Sequence, residues 1–207
     1  ELKLGALAGA FSLEKRGTGE LTLASTSTRA TTAGTTTLTA GTLRLQTASA
    51  LNTDAGGSTT LNLNGGTLEL AGAATIFKGT AIVVGGAASI KLDRTSSNTA
   101  VTHTISSLSI GNYNLTVTQG SLVTTGTAQL TITGTTTFTN TPTFTITSGT
   151  STAAISFGAV SNSTYTATFA GTGNALQTAA WGNSSGGITW GSSGTLTLSQ
   201  TNTYTGV

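Results

Sequence analysis

The chain carries few side chains that could do chemistry, and only one of them is an imidazole. It contains a single histidine, His103, and no cysteine. A zinc site needs three or four nitrogen, sulfur or carboxylate ligands, so we expect no metal at this position. His103 lies in an alternating run with Val101 and Ile105, and we predict that it occupies an exposed position on a strand.

Carboxylates are the next candidates for catalysis. Glu14, Glu20, Asp54, Glu69 and Asp93 recur at intervals that would place them on successive turns of a coil. A polysaccharide lyase or hydrolase would need such groups clustered in a cleft to transfer protons and stabilise charge. Stacked acids of this kind more often form solvated ladders, so we expect ion pairs, no catalytic residues, no cofactor and no enzymatic activity. The basic partners expected in those pairs are Lys15, Arg44 and Lys91.

One of these acids has a second interpretation. Asp54 lies in the run Asn-Thr-Asp-Ala-Gly-Gly at positions 52–57, which is similar to the glycine-rich calcium turns of β-rolls. Such turns bind calcium when they repeat, and this one occurs once. A side-chain-capped turn without a metal is therefore the expected structure.

The charges are confined to one half of the chain. All 8 basic and all 6 acidic residues lie between Glu1 and Arg94, and residues 95–207 have none. The net charge of +2 supplies no basic patch that could neutralise a run of phosphates, so nucleic acid is not an expected partner. No apolar run reaches the roughly 18 residues of a membrane-spanning helix, so membrane insertion is not expected either.

The composition predicts an all-β protein. Threonine makes up about a quarter of the residues, glycine numbers 28 and proline occurs once. Branching at Cβ suits threonine, valine and isoleucine to a pleated strand, whereas methionine is absent and other helix-favouring residues are scarce.

Short apolar triplets with a polar middle residue recur along the chain and indicate a solenoid. Their first residues are spaced by 22, 25, 22, 25, 29 and 52 positions, and a period of 20 to 30 is typical of stacked coils. At about 23 residues a turn, we predict a single parallel β-solenoid over residues 1–207 with about nine turns. An antiparallel sandwich is the alternative, because Asn64-Gly65 could close a hairpin. The first residues of the triplets are Leu21, Leu43, Leu68, Ile90, Leu115, Phe144 and Leu196.

Two stretches share a phrase that resembles a known repeat. Gly-Thr-Gly-Glu-Leu-Thr-Leu at 17–23, continued at 36–43, and Gly-Thr-Leu-Thr-Leu-Ser-Gln-Thr-Asn-Thr-Tyr-Thr-Gly at 194–206 are similar to the autotransporter-associated β-strand repeat of bacterial surface proteins. The resemblance covers about a quarter of the chain. It implies a right-handed parallel β-helix, located outside the cell or on its surface, and it carries over no catalytic motif.

The two ends of such a coil are expected to lack the polar capping turns that solenoids normally have. Both ends keep the interior apolar pattern, so we predict that the chain is one unit of a longer array. This array would be a head-to-tail polymer of copies or a tandem repeat within one chain, and would serve as a structural subunit of an extracellular bacterial fibre, stalk or surface layer. The residues predicted to meet at the junction are Leu2, Leu4 and Leu7 at one end and Leu196, Leu198 and Tyr204 at the other.

The alternative function is an adhesive passenger module that binds glycans or host surfaces. Trp181 and Trp190 flank a glycine- and serine-rich stretch, and paired surface aromatics can stack on the sugar rings of glycans. The competing interpretation is that they are buried as a cap. Threonine arrays at 135–139 and 141–147 are similar to ice-binding faces, but the variable turn spacing favours ordinary cross-strand threonine ladders.

Overall fold

A computed structural model shows a coil of parallel β-strands. The structure describes residues 1–9, 11–29, 34–51, 59–73, 75–77, 80–182 and 184–205. Within these ranges every regular element is a strand, and all strand pairs are parallel. The described residues contain no helix long and apolar enough to cross a membrane. The antiparallel sandwich is therefore wrong, and the chain is a β-solenoid.

The described strands form four sheets, and the three larger ones run along the coil. Sheet 1 has nine strands, sheet 2 has seven, sheet 3 has six and sheet 4 has two. Sheet 1 contains β1 (Leu2–Leu4), β4 (Glu20–Leu23), β7 (Thr42–Leu45), β9 (Thr67–Leu70), β12 (Ala88–Leu92), β15 (Asn114–Gln119), β18 (Thr143–Thr147), β21 (Ala167–Gly171) and β23 (Ile188–Trp190). Sheet 2 contains β3 (Leu13–Lys15), β6 (Thr36–Leu38), β8 (Thr59–Leu63), β11 (Thr80–Val84), β14 (Ser107–Ile110), β17 (Thr136–Phe138) and β20 (Val160–Ser161). Sheet 3 contains β10 (Thr75–Ile76), β13 (Val101–Ile105), β16 (Thr127–Ile132), β19 (Thr152–Phe157), β22 (Asn174–Gln177) and β24 (Leu196–Leu198), and sheet 4 contains β2 (Ala8–Gly9) and β5 (Thr28–Arg29).

The chain visits the sheets in a fixed order. Most turns pass from sheet 1 to sheet 3, or to sheet 4 in the first two turns, then to sheet 2 and back to sheet 1. In the described residues the third turn passes from β7 in sheet 1 to β8 in sheet 2 without a strand between them, and β22 in sheet 3 is followed by β23 in sheet 1 without a strand of sheet 2. The coil has about seven turns, and the predicted nine are not confirmed. Sheet 1 has two more strands than sheet 2. In the last turns, the described residues add to sheet 2 only an isolated bridge between Val160 and Trp181.

Alternation along each strand builds the core. In β7 the residues Leu43 and Leu45 are fully buried, while Thr42 and Arg44 point outward and are partly exposed. The same inward residues stack in register from turn to turn, as in the series Leu43, Leu68 and Ile90. One continuous apolar core therefore runs along the axis of the coil.

Six of the seven predicted triplets lie where the periodicity placed them, in successive strands of sheet 1. The seventh is different, because Leu196 and Leu198 belong to β24 in sheet 3 and pair with β22. The two copies of the repeated phrase therefore lie on different sheets of the solenoid. In sheet 1 the 52-residue gap is filled by β21 and β23, where Phe169 and Trp190 continue the column of Phe144.

The corner between sheet 2 and sheet 1 depends on glycine. Gly41 and Gly66 have φ angles of +71° and +70°, a region that favours glycine. A Cβ atom on Gly66 would lie 2.5 Å from the carbonyl oxygen of Gly41 in the turn below, which is too close for any side chain. These glycines let the turns stack at strand spacing around the corner.

Candidate functional site

The first turn of the coil presents an open apolar end. Within the described residues β1 pairs with β4 only, so its other edge is free to hydrogen-bond. Leu2 is 58% exposed, and Leu4 and Leu7 are half-buried against the core. The backbone N–H of Leu7 donates to the hydroxyl of Ser27 at 3.2 Å, which fixes this part of the first turn to the second.

A concavity opens at this same end. Its volume is about 420 Å³, and its apolar lining comes from Leu2, Leu4, Leu13 and Leu21. Charged residues also line it, including the exposed pair Glu14 and Arg16. A concavity with apolar and charged lining is a surface that another group can fill.

The last turn is also open, and it contributes the final strand to two different sheets. Strand β23 is the last strand of sheet 1, and β24 is the last strand of sheet 3. Leu198 is 41% exposed, and Trp190 and Leu196 are half-buried. Tyr204 is partly buried and packs against the core. All six residues predicted for the junction therefore lie at the two ends of the coil.

The two tryptophans have different environments. Trp181 is 2% exposed and packs between Phe157 and Phe169, with ring centroids 5.2 and 6.0 Å away. Its ring is not on the surface to stack on a sugar. Trp190 is half-buried at the free edge of sheet 1, with its ring 5.5 Å from that of Phe169.

The asparagine of the repeated phrase closes the corner between sheet 3 and sheet 2. The side-chain oxygen of Asn202 accepts hydrogen bonds from the backbone N–H of Trp181, at 3.1 Å, and from the amide of Gln177 in the preceding turn. The hydroxyl of Thr203 donates to the carbonyl oxygen of Gly182. The Asn-Thr part of the phrase thus ties the last turn to the one below, a role that the sequence analysis did not foresee.

The predicted pairing of Arg44 and Lys91 with an acid occurs on the outward face of sheet 1, but the expected solvated position of that acid is wrong. Arg44, Glu69 and Lys91 are directly opposite one another on β7, β9 and β12. The Nη1 atom of Arg44 lies 2.9 Å from Oε1 of Glu69, and Nζ of Lys91 lies 3.1 Å from Oε2. The Glu69 side chain is only 3% exposed, so this is a shielded ion-pair ladder.

Asp93 extends this cluster into the next corner. Its Oδ2 atom lies 3.6 Å from Nζ of Lys91, while its Oδ1 accepts hydrogen bonds from the backbone N–H groups of Arg94 and Leu122, each at 2.9 Å. The carboxylate therefore holds two turns together at the corner between sheet 1 and sheet 3. Each of its oxygens already has a structural partner.

Lys15 does not pair with an acid as predicted. Its side chain is buried, and Nζ donates to the carbonyl oxygens of Arg16, Gly17 and Ala40 at 2.9, 2.6 and 3.0 Å. The ammonium group thus closes the corner between sheet 2 and sheet 1, because it donates hydrogen bonds to carbonyl groups that would otherwise lack a partner.

The prediction of an exposed position for His103 is wrong. His103 is fully buried, because residues two apart on a strand share a face and it therefore points inward with Val101 and Ile105. Its Nε2 atom lies 2.8 Å from the carbonyl oxygen of Asp93, which can only accept, so Nε2 carries the proton. Its ring packs edge-on against Phe77 at 5.5 Å.

Glu14 and Arg16 form an exposed pair at the rim of the first turn. Nε of Arg16 lies 2.7 Å from Oε1 of Glu14. The hydrogen bond from Arg16 is the largest influence and lowers the pKa of Glu14, desolvation opposes it, and a hydrogen bond from Thr39 and the positive charge of Arg16 lower the pKa further. The same carboxylate raises the pKa of Arg16.

The remaining candidates do not form a chemical site. Asp54 lies outside the described residues. Among the residues that are described, no three His, Cys, Asp or Glu side chains lie close enough to hold a metal ion. The two threonine arrays are on different sheets, since β17 belongs to sheet 2 and β18 to sheet 1.

No known protein family, curated protein or solved structure matches the chain.

Proposed function

We propose that this protein is a structural subunit of an extracellular bacterial fibre, stalk or surface layer, in which copies stack end to end through the open ends of the coil. One observation carries the proposal. The two opposite edges of the same nine-stranded sheet are unpaired within the described residues, and each presents inward-pointing apolar residues that are incompletely covered.

Stacking would complete both ends at once. An unpaired edge strand is a template for another strand, and natural proteins normally blunt such edges with charge, proline or a covering segment. Burying an exposed leucine such as Leu2 or Leu198 contributes up to about 1.5–3 kcal/mol. Several such residues at each junction, together with new backbone hydrogen bonds, give a favourable contact.

The interior of the coil suits a mechanical role. Parallel ladders join each turn to the next along the length of sheet 1, and the apolar core is continuous. Residues 95–207 contain no lysine or arginine, so proteases that cut after lysine or arginine have no sites there. Resistance to unfolding and to proteolysis supports a location outside the cell.

Two finer features of the fold belong to the same proposal. The coil is right-handed, since parallel strands joined by crossovers are right-handed in about 98% of cases. The nine strands of sheet 1 correspond to nine passes of the chain, of which the last ones form only partial turns.

Assembly can be tested by placing a charge at one end. In Leu4→Lys the ammonium group would enter the junction, so we expect short particles or monomers by electron microscopy and sedimentation, while circular dichroism shows an unchanged fold. Leu198→Lys tests the other end. Thr147→Lys is the matched control, because Thr147 is exposed on the outward face of β18 away from both ends.

The outcomes separate this function from the adhesive one. Native chains that stay monomeric at all concentrations, or Leu4→Lys filaments of normal length, would refute stacking. Because Trp181 is buried, binding to a glycan array that is lost in Trp190→Ala, with assembly intact, would support adhesion instead.

A further inference from the structure

We infer that Asn64 is a site of spontaneous chemical modification, at which its side-chain amide is converted to a carboxylate through a cyclic imide formed with Gly65. The two residues lie in the corner between β8 and β9, where the chain passes from sheet 2 to sheet 1. Water is the only other reactant. The inference concerns the interior of the coil and does not depend on the proposed assembly.

The reaction has two steps. In the first, the backbone nitrogen of Gly65 attacks Cγ of Asn64 and forms a new bond, the bond between Cγ and Nδ2 breaks, and the amide group leaves as ammonia with the proton of the attacking nitrogen. The product is a five-membered imide ring. In the second step water opens this ring. Opening at Cγ gives aspartate, and opening at the backbone carbonyl gives isoaspartate, in which the main chain runs through the former side chain.

The residue that follows Asn64 favours the first step. Asn64 is the only asparagine of the chain that is followed by glycine, and every other asparagine is followed by a residue with a Cβ atom. A Cβ atom crowds the backbone nitrogen of its own residue, whereas glycine leaves that nitrogen open and its dihedral angles free. The attack is therefore least hindered at this position.

The backbone leaves the attacking nitrogen free. In the described part of the chain the N–H of Gly65 donates to no acceptor, although hydrogen bonds lie on both sides of it. The N–H of Asn64 donates to the carbonyl oxygen of Leu38 at 2.9 Å, and that of Thr67 donates to the carbonyl oxygen of Gly41 at 2.8 Å. Asn64 does not have a positive φ, so the pair is not held in the type I′ turn of a hairpin.

The side-chain amide of Asn64 is free as well. Asn64 is exposed, and its amide has no hydrogen-bond partner among the described residues. Asn98 and Asn140 differ, because the Oδ1 atom of each accepts a hydrogen bond from the backbone N–H of the following residue, at 2.7 and 2.8 Å. Turning those amides toward the attacking nitrogen would break these bonds, whereas the amide of Asn64 can turn without such a loss.

The modification would change a tightly stacked corner. Gly85 and Gly86 of the next turn lie directly on Asn64, since a Cβ atom on Gly85 would collide with Oδ1 of Asn64 and one on Gly86 with its carbonyl oxygen. Aspartate adds a seventh acidic residue beside the 8 basic ones and lowers the formal net charge from +2 to +1. Isoaspartate in addition lengthens the main chain between β8 and β9, whose neighbours stack at about 4.8 Å.

Ageing of the native chain tests the site. The full chain is kept folded in a mildly alkaline buffer, and samples are analysed by isoelectric focusing and by peptide mapping with mass spectrometry that distinguishes aspartate from isoaspartate. We expect an acidic shift of one charge, with both products at residue 64 while Asn98 and Asn140 remain amides.

The matched control is Asn64→Gln. A glutamine side chain would have to close a six-membered ring, which forms more slowly, so this variant should show no acidic shift over the same period. The variant should fold normally, because the side chain at residue 64 is exposed and has no hydrogen bond to lose. An acidic shift of the same size in Asn64→Gln would place the modification elsewhere and overturn the inference.

A sample unfolded in urea shows what the fold contributes. If the unfolded chain loses the amide of Asn64 but the native chain keeps it, the corner protects this residue and the inference is wrong. Equal or faster loss at Asn98 or Asn140 in the native chain overturns it too. Conversion at residue 64 ahead of these two residues, in the folded chain, supports it.

Asn64→Asp separates the effect of charge from that of the longer main chain. This variant carries the new carboxylate on a normal backbone, so its urea midpoint should lie close to that of the native chain. The aged chain that contains isoaspartate should unfold at a lower urea concentration than either. Equal midpoints for all three would show that the corner tolerates the extra atom and would overturn this part of the inference.

Discussion

The charged half of the molecule, residues 1–94, and the uncharged half, residues 95–207, build the same coil from different side chains. In the charged half, sheet 1 carries the ladder of Arg44, Glu69 and Lys91 on its outward face over a leucine core. In the uncharged half the outward residues are mostly threonine, and the core contains a cluster of aromatic rings that includes Phe144 and Phe169. The shared element is the parallel backbone ladder, which both sets of side chains can support.

The corners show the same contrast. In the charged half, Lys15 binds three carbonyl groups and Asp93 binds two N–H groups. In the uncharged half, Asn202 and Gln177 close a corner through neutral amides. A corner therefore needs a side chain that satisfies backbone groups buried where the strands end, and the charge of that side chain is secondary.

The largest effect is expected from the aromatic cluster. Phe169 is fully buried and contacts the rings of Phe144, Phe157, Trp181 and Trp190. Phe169→Ala should lower the free energy of unfolding by about 3–5 kcal/mol, because it leaves a cavity that its neighbours cannot fill. Urea unfolding followed by circular dichroism measures this, with Thr168→Ala as a control expected to change less than about 0.5 kcal/mol. Equal stability of the two variants would contradict the assignment of the aromatic cluster as the core of this half.

The ion-pair ladder comes next. Glu69→Ala leaves Arg44 and Lys91 without their shared carboxylate and should cost about 1.5–3 kcal/mol. Thr145→Ala, at an outward position of sheet 1 in the other half, is the control and should be nearly neutral. Because Glu69 is shielded, the cost of its loss should depend only weakly on salt. A loss that disappears at high salt would show that the ladder is solvated.

The ladder also permits a replacement test. Replacing Arg44 and Glu69 together with apolar residues, as in Arg44→Met with Glu69→Leu, removes both their attraction and the cost of burying these two groups, while Lys91 keeps Asp93 as its partner. We expect this double variant to be more stable than Glu69→Ala in the same urea titration. If it is less stable, the ion pairs are essential to the fold of this half.

His103 joins the two halves through its hydrogen bond to the carbonyl of Asp93. His103→Leu replaces the ring with a buried apolar side chain but leaves the carbonyl of Asp93 without its donor. We therefore expect the free energy of unfolding to fall by about 1–3 kcal/mol. Thr102→Ala, at the exposed neighbouring position, is the control. Hydrogen exchange should show the loss concentrated in the turn that contains β12 and β13. An unchanged exchange pattern would indicate that the bond does not contribute.

The smallest effect is expected at the rim of the first turn. Since its pairing with Arg16 lowers the pKa of Glu14, any stabilisation by this pair is present above the ordinary pKa of the carboxyl. It is lost as the pH falls through the lowered value. Because both groups are exposed, the thermal midpoints of the native chain and Glu14→Gln should nearly coincide, and their small difference should vanish between about pH 5 and 3. A large difference at neutral pH would mean that the pair is shielded.

The strands of sheet 1 in the charged half could be predicted from the sequence because leucine recurs there at a regular period. Triplets such as 21–23 and 43–45 alternate cleanly, and each lies in sheet 1. The uncharged half was harder to predict because Phe169 and Trp190 occupy the same column without a Leu-x-Leu pattern. The triplet at 196–198 has that pattern but belongs to sheet 3. An apolar-polar-apolar triplet indicates a buried strand, but it does not identify the sheet.

By itself the sequence determined that the chain forms a parallel β-coil, because alternation and period are local properties that every turn repeats. It also placed Arg44, Glu69 and Lys91 at the outward middle positions of three successive triplets, and the structure shows that these triplets share one column. Only the tertiary structure decided that His103 is buried, that Lys15 binds carbonyls and that Trp181 is covered while Trp190 stands at an edge. These outcomes depend on the neighbouring turns, because stacking in space sets which backbone groups need partners and which side chains are covered.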